Sequence, residues 1–102
     1  MSWADRHVEA LLAGRTVRFR PRGHSMRGRI DDGQLVTVEP VTREPEPGEA
    51  VLCRVRSTHY VHLIKATRGT GPDKQFLIGN NRGGINGWIH RSRIYGVVTR
   101  VD

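Results

Sequence analysis

"AVLCRVRSTHYVHLIKATR", residues 50–68, decides the fold of this chain. Two apolar runs rich in β-branched residues flank a short polar turn at Ser57-Thr58, the pattern of a β-hairpin. In the second run, alternation places Val61 and Leu63 on one face and Tyr60, His62 and Ile64 on the other. Lys65 shares the Val61 face. His62 and Lys65 therefore address opposite sides of a regular strand.

The same period continues outward from this hairpin. "TVRFR" (16–20) alternates Val17 and Phe19 against Arg18 and Arg20, as a half-buried strand does. "QLVTVEP" (34–40) is a second strand behind the turn "DDG", and "TREPEPGE" (42–49) is a polar, proline-rich loop. Beyond the hairpin come the turn "GTGPD", the strand "QFLIGN" and the glycine-rich loop "NRGGING" (81–87). "WIHRSRIYGVVTRV" (88–101) then supplies one or two further strands. Ahead of all this, residues 2–13 read as a short amphipathic helix. Ser2 is its N-cap with Asp5 three residues on, Trp3, Val8, Leu11 and Leu12 share its face, and Gly14 ends it at C′. The expected fold is mostly β, an antiparallel sheet over 15–101 with a short N-terminal helix, in one domain spanning 1–102.

Size and composition agree. At 102 residues there is room for one folding unit. Such a chain buries roughly two-thirds of its unfolded surface, enough for a single modest core. The 36% apolar content is low, and twelve glycines with five prolines favour strands and turns. No apolar run approaches the roughly 20 residues that span a bilayer. "MSWADRHVEALLAG" carries acids and has no apolar core of a secretory signal, so the expectation is a soluble, cytoplasmic protein with no membrane span. The single Cys53 excludes an internal disulfide and reads as a small strand residue.

Net charge is +7, from seventeen Lys and Arg against ten acids. The arginines are scattered (Arg15, Arg18, Arg20, Arg22, Arg27, Arg29), with no basic block and no aromatic interleaving. Nucleic acid is therefore disfavoured as a direct partner. Five histidines lack zinc-finger spacing, and His59 and His62 fall on opposite strand faces, so neither a metal nor another cofactor is expected. "GTGPD" lacks the helix and lysine of a phosphate loop. Trp3, Trp88 and the N-terminal helix are candidates to cover a sheet edge or to form a homodimer contact.

Ser25 stands in "RGHSM" (22–26), where a glycine lets the backbone bend after the first strand. A hydroxyl becomes a useful nucleophile when a base takes its proton and free backbone N–H groups hold the developing oxyanion. His62 is a natural base, because an imidazole is close to neutral at pH 7, whereas a lysine must first be buried.

Together, "GHSM" (23–26), "DDGQLVTV" (31–38), "GEAVLCRV" (48–55), "YVHLIK" (60–65), "FLIGNN" (76–81) and "IYGVVTRV" (94–101) resemble the stations of the signal-peptidase and SOS-repressor clan of serine peptidases. They stand in family order and cover about 80 of the 102 residues. The resemblance implies that fold and a Ser-His dyad of the histidine-base branch, with Ser25 as nucleophile and His62 as base. The substrate would be a specific protein or peptide, possible self-processing included, in a stand-alone domain without membrane anchor or DNA-binding module. Gly23 and Met26, flanking the nucleophile, fall at oxyanion and substrate-binding positions, with the Ser25 N–H as an oxyanion donor. Asn80 and Asn86 are the candidates to orient the base. Three positions depart from the family pattern. Gly28 replaces a proline, Gln34 an aspartate after Gly33, and Asn80 an aspartate after Gly79. A second expectation follows from these changes: a peptidase-fold module of weakened activity that binds a peptide or protein.

Overall fold

The computed structural model describes residues 2–102. It is mostly antiparallel β-sheet with one short N-terminal helix. The elements are α1 (Asp5–Leu12), β1 (Val17–Phe19), β2 (Val36–Pro40), β3 (Ala50–Val55), β4 (Thr58–Arg68), β5 (Gln75–Gly79), β6 (Ile85–His90) and β7 (Ile94–Val101). The strands form one sheet in the order β1-β2-β7-β3-β4-β5-β6, and every neighbouring pair is antiparallel.

The hairpin of residues 50–68 is the centre of that sheet, with Cys53 paired to Tyr60 and Val51 to His62. Its turn is Arg56-Ser57, one residue earlier than the Ser57-Thr58 expected, because Val55 pairs with Thr58 and leaves a two-residue loop. Alternation then sorts the apolar residues into two clusters. Ala50, Leu52, Val61 and Leu63 join Val36 and Val38 under the helix, while Val51, Cys53, Val55 and Ile64 join Phe76, Ile78 and Ile89. The expected single core is therefore two, one on each face of β3. A strand covered on both sides needs apolar residues at consecutive positions, which is why "AVLC" does not alternate with polar residues. The sheet bends through irregularities at Thr37/Val38, Leu52/Cys53, Ile64/Ala66 and Ile78/Gly79. It curls far enough that a Cβ placed on Gly87 of β6 would stand 3.4 Å from Val55 of β3.

The helix is shorter than 2–13. The Ser2 N–H donates to Asp5 Oδ2 at 2.9 Å, and Ser2 Oγ accepts the Ala4 N–H at 3.1 Å. Ser2 thus closes a turn ahead of the helix and does not cap it. The buried stripe is Ala4, Val8 and Leu11, whereas Leu12 and Trp3 are exposed. At the other end the Gly14 N–H reaches Leu11 O and the Arg15 N–H reaches Ala10 O, a Schellman closure with Gly14 at C′. The helix lies over β7 at Gly96. A Cβ there would meet Val38 Cγ1 at 2.6 Å and Glu39 O at 2.8 Å.

The last departure matters most for the site. Residues 85–87, expected in the glycine-rich loop, are the start of β6, with Ile85 paired to Gly79 and Gly87 to Ile78. Among the described residues no helix is long and apolar enough to cross a membrane.

Candidate active site

Ser25 lies in a tight turn six residues past the end of β1, and the acids and amides around it hold that turn. The Gly23 N–H donates to Asp32 Oδ1 at 2.8 Å, and the Gly28 N–H donates to Asp31 Oδ1 at 2.9 Å. The Asp31 N–H in turn donates to Gln34 Oε1 at 2.8 Å. From the β5–β6 loop, the Asn81 N–H donates to Ser25 O at 2.9 Å and Asn81 Nδ2 donates to Arg27 O at 2.8 Å. Met26 and Ile30, 5% and 4% exposed, pin the turn into the core beneath. Gly28 has φ +93°, in the left-handed region, which a proline ring cannot adopt. The turn is built around glycine at this position.

On β4, His62 faces this turn. Ser25 Oγ and His62 Nε2 are 3.0 Å apart, and His62 Nδ1 is 2.7 Å from Asn86 Oδ1. An amide oxygen only accepts, so this pairing puts the proton on Nδ1 and leaves Nε2 free to accept from the serine hydroxyl. His62 is 6% exposed. Burial pushes its pKa below the ordinary 6.5, and the bond to Asn86 partly offsets this. The base is therefore neutral at neutral pH. Tyr60, two residues back on the same face, stacks on the imidazole with ring centroids 4.7 Å apart.

Asn86 reaches the ring because it stands on β6, and Arg56 Nη1 donates to its backbone oxygen at 3.3 Å. Asn80 does not take part. Its Oδ1 accepts the N–H groups of Arg82 and Gly84, both at 2.8 Å, and so shapes its own loop. Gly23 lines the site, but its N–H is engaged by Asp32. Among the described residues, the Ser25 N–H donates to no protein acceptor and is free to meet an oxyanion. Lys65 is exposed at the irregularity of β4, over Gly79 and away from this group.

A groove of about 590 Å³ opens beside the pair. It is lined by four consecutive residues of β4, His59 to His62, which alternation would divide between two faces. All four border one groove because it runs along the strand's edge. β5 pairs with β4 only from Leu63 onward, so among the described residues Thr58–His62 has β3 as its only strand neighbour. The Ile64 N–H donates to Glu49 O on the β3 side. By alternation, the backbone groups of Val61 and His59 point to the open edge.

Of the other four histidines, three are engaged separately and His24 is exposed. His59 Nδ1 is 2.9 Å from Ser2 Oγ, His7 stacks on Phe19 at 4.3 Å, and His90 Nε2 is 2.9 Å from Pro72 O. No group of three or more metal-ligating side chains gathers among the described residues. Cys53 is fully buried, and burial pushes its thiol up to about 12, so it has no thiolate character.

Asn81, Asp31, Asp32 and Gln34 were not legible as supports of the site. The available signal was the turn chemistry of "DDGQ", in which Asp side chains bond nearby backbone N–H groups. Set against known protein families, curated proteins and solved structures, the chain has no match.

Proposed function

We propose that this chain is a serine endopeptidase of the signal-peptidase and repressor type, working in the cytoplasm on a specific protein or peptide through a Ser25–His62 dyad. The observation that carries this reading is the 3.0 Å contact of Ser25 Oγ with the free nitrogen of an imidazole fixed by Asn86. In the forward step His62 Nε2 takes the hydroxyl proton while Oγ bonds to the substrate carbonyl carbon. The carbonyl oxygen becomes an oxyanion facing the Ser25 N–H. The imidazolium then gives its proton to the leaving amine as the C–N bond breaks. Water, deprotonated by His62, hydrolyses the acyl-enzyme and restores Ser25. The substrate backbone would lie along the open edge of β4, where the N–H and C=O groups of Val61 and His59 offer a strand its partners.

A second reading is favoured by Asn86. An amide sets the tautomer but does not stabilise the imidazolium as a carboxylate does. In this reading the chain keeps the fold and the open strand edge to bind peptides, with little turnover.

The test is acylation. A fluorophosphonate probe should add to Ser25, detected as a mass increase located by peptide mapping, and Ser25→Ala and His62→Ala should both abolish it. An unmodified wild-type protein, or equal labelling of His62→Ala, would sink the dyad and leave the binding module.

A further inference from the structure

The wall of the groove opposite β4 has a chemistry of its own. Trp3 is 54% exposed yet fixed in place, its ring 5.6 Å from Phe19 and 6.3 Å from His7. The bond from Ser2 Oγ to His59 Nδ1 ties that segment to the far end of the open strand edge. Pro21, Met26, Ile30 and Val61 continue the apolar lining toward Ser25. The charged side chains on the groove are Arg20 and Arg22, and no Asp or Glu lines it among the described residues. Arg20 gives one N–H to Gly33 O, while Arg22 is exposed and joins no ion pair among the described residues.

We propose that this groove selects an extended peptide that carries a large apolar or aromatic side chain for Trp3 and an acidic residue for Arg20 and Arg22. His59 and His62 are three residues apart on an extended strand, or about 10 Å. The apolar side chain therefore sits about three residues from the bond presented to Ser25. Backbone edge, apolar wall and arginine rim each match one feature of such a peptide. A phosphodiester has nothing to donate to the C=O groups of Val61 and His59, so a peptide fits better than a nucleic acid. The apolar contact supplies most of the affinity, and the arginines favour encounter and sign of charge. This substrate class rests on the peptidase or binding reading of the same groove.

Binding is measured on Ser25→Ala protein, so the outcome does not depend on whether Ser25 reacts. The probe is a fluorescein-labelled Ser/Ala peptide carrying one Phe and two Asp, followed by fluorescence anisotropy. Replacing its Phe by Ala should weaken binding about tenfold or more. Replacing its Asp residues by Lys should weaken it about threefold or more. Trp3→Ala should erase the first preference, and Arg22→Glu, at an exposed position, should reverse the second. Equal binding of the three peptides, tighter binding of the Lys peptide, or equal displacement by an oligo-dT strand would overturn the proposal. Failure of the fluorophosphonate test with these preferences intact would reject the peptidase and keep the peptide class.

Discussion

His62 is held at three points, by Ser25 at one nitrogen, Asn86 at the other and the Tyr60 ring on its face. Its charge state is therefore set by few groups, with burial as the main one. In the proposed reaction acylation of Ser25 needs neutral His62, so its rate should fall as pH is lowered, along an acid limb whose midpoint lies below 6.5. A pH–rate profile of probe labelling checks this. Asn86→Asp places a carboxylate against Nδ1, which favours the imidazolium. Its acid limb should move to higher pH, and the rate above that limb should rise on the order of tenfold. Histidine ring titration by NMR reads the shift directly, and an unmoved His62 would show that Asn86 does not set its environment. Ser25 and His62 were singled out by the resemblance, and the two-residue period of β4 gave only the face of His62. Asn86 was named with Asn80 as a candidate to orient the base, but the strand that carries it was not legible, because Ile85 and Ile89 are its sole trace in a glycine-rich run.

The turn from Gly23 to Ile30 is a separate element, held by its own backbone turn bonds and by side chains bonding backbone rather than by a ladder. Gly28→Pro cannot keep φ +93° and removes the N–H bonded to Asp31. It should cost about 2–4 kcal/mol in urea unfolding and slow acylation, since Ser25 moves with the turn. In the sheet, Gly96→Ala forces a Cβ against Val38 and the Glu39 carbonyl. A cost of about 1–3 kcal/mol is expected by the same measurement, with the acid limb of labelling unchanged because the new Cβ would press on Val38, Glu39 and Leu11, none of which bonds to Ser25, His62 or Asn86. Strand β3 and its partner β4 were legible from their apolar runs. The length of α1 was not, because Ser2 bonds its own turn and His59, contacts that no local pattern contains.

For the whole molecule, three histidines are shifted in one direction. Burial holds His7, His59 and His62 below 6.5, and the first two are only partly covered. Between those lowered values and 6.5 the unfolded chain binds more protons than the folded one, so stability is full above about 6.5 and is lost as pH falls below it. Thermal unfolding at a series of pH values should show Tm falling through this window. His62→Gln should flatten the fall more than His7→Gln, because His62 is the most buried of the three.

Residue order and period by themselves determined the mostly β class, the central hairpin and the faces on which Val61 and His62 lie, because alternation is local geometry; Lys65 falls at an irregularity of β4 where that period breaks. The tertiary structure decided which residues meet. Curling of the sheet carries β6 across β3 and delivers Asn86 to His62, and the β5–β6 loop locks the Ser25 turn from more than fifty residues away. The early end of β5 leaves part of β4 open. Those contacts depend on how seven strands twist and bulge together, a sum over the whole sheet that no short stretch of sequence contains.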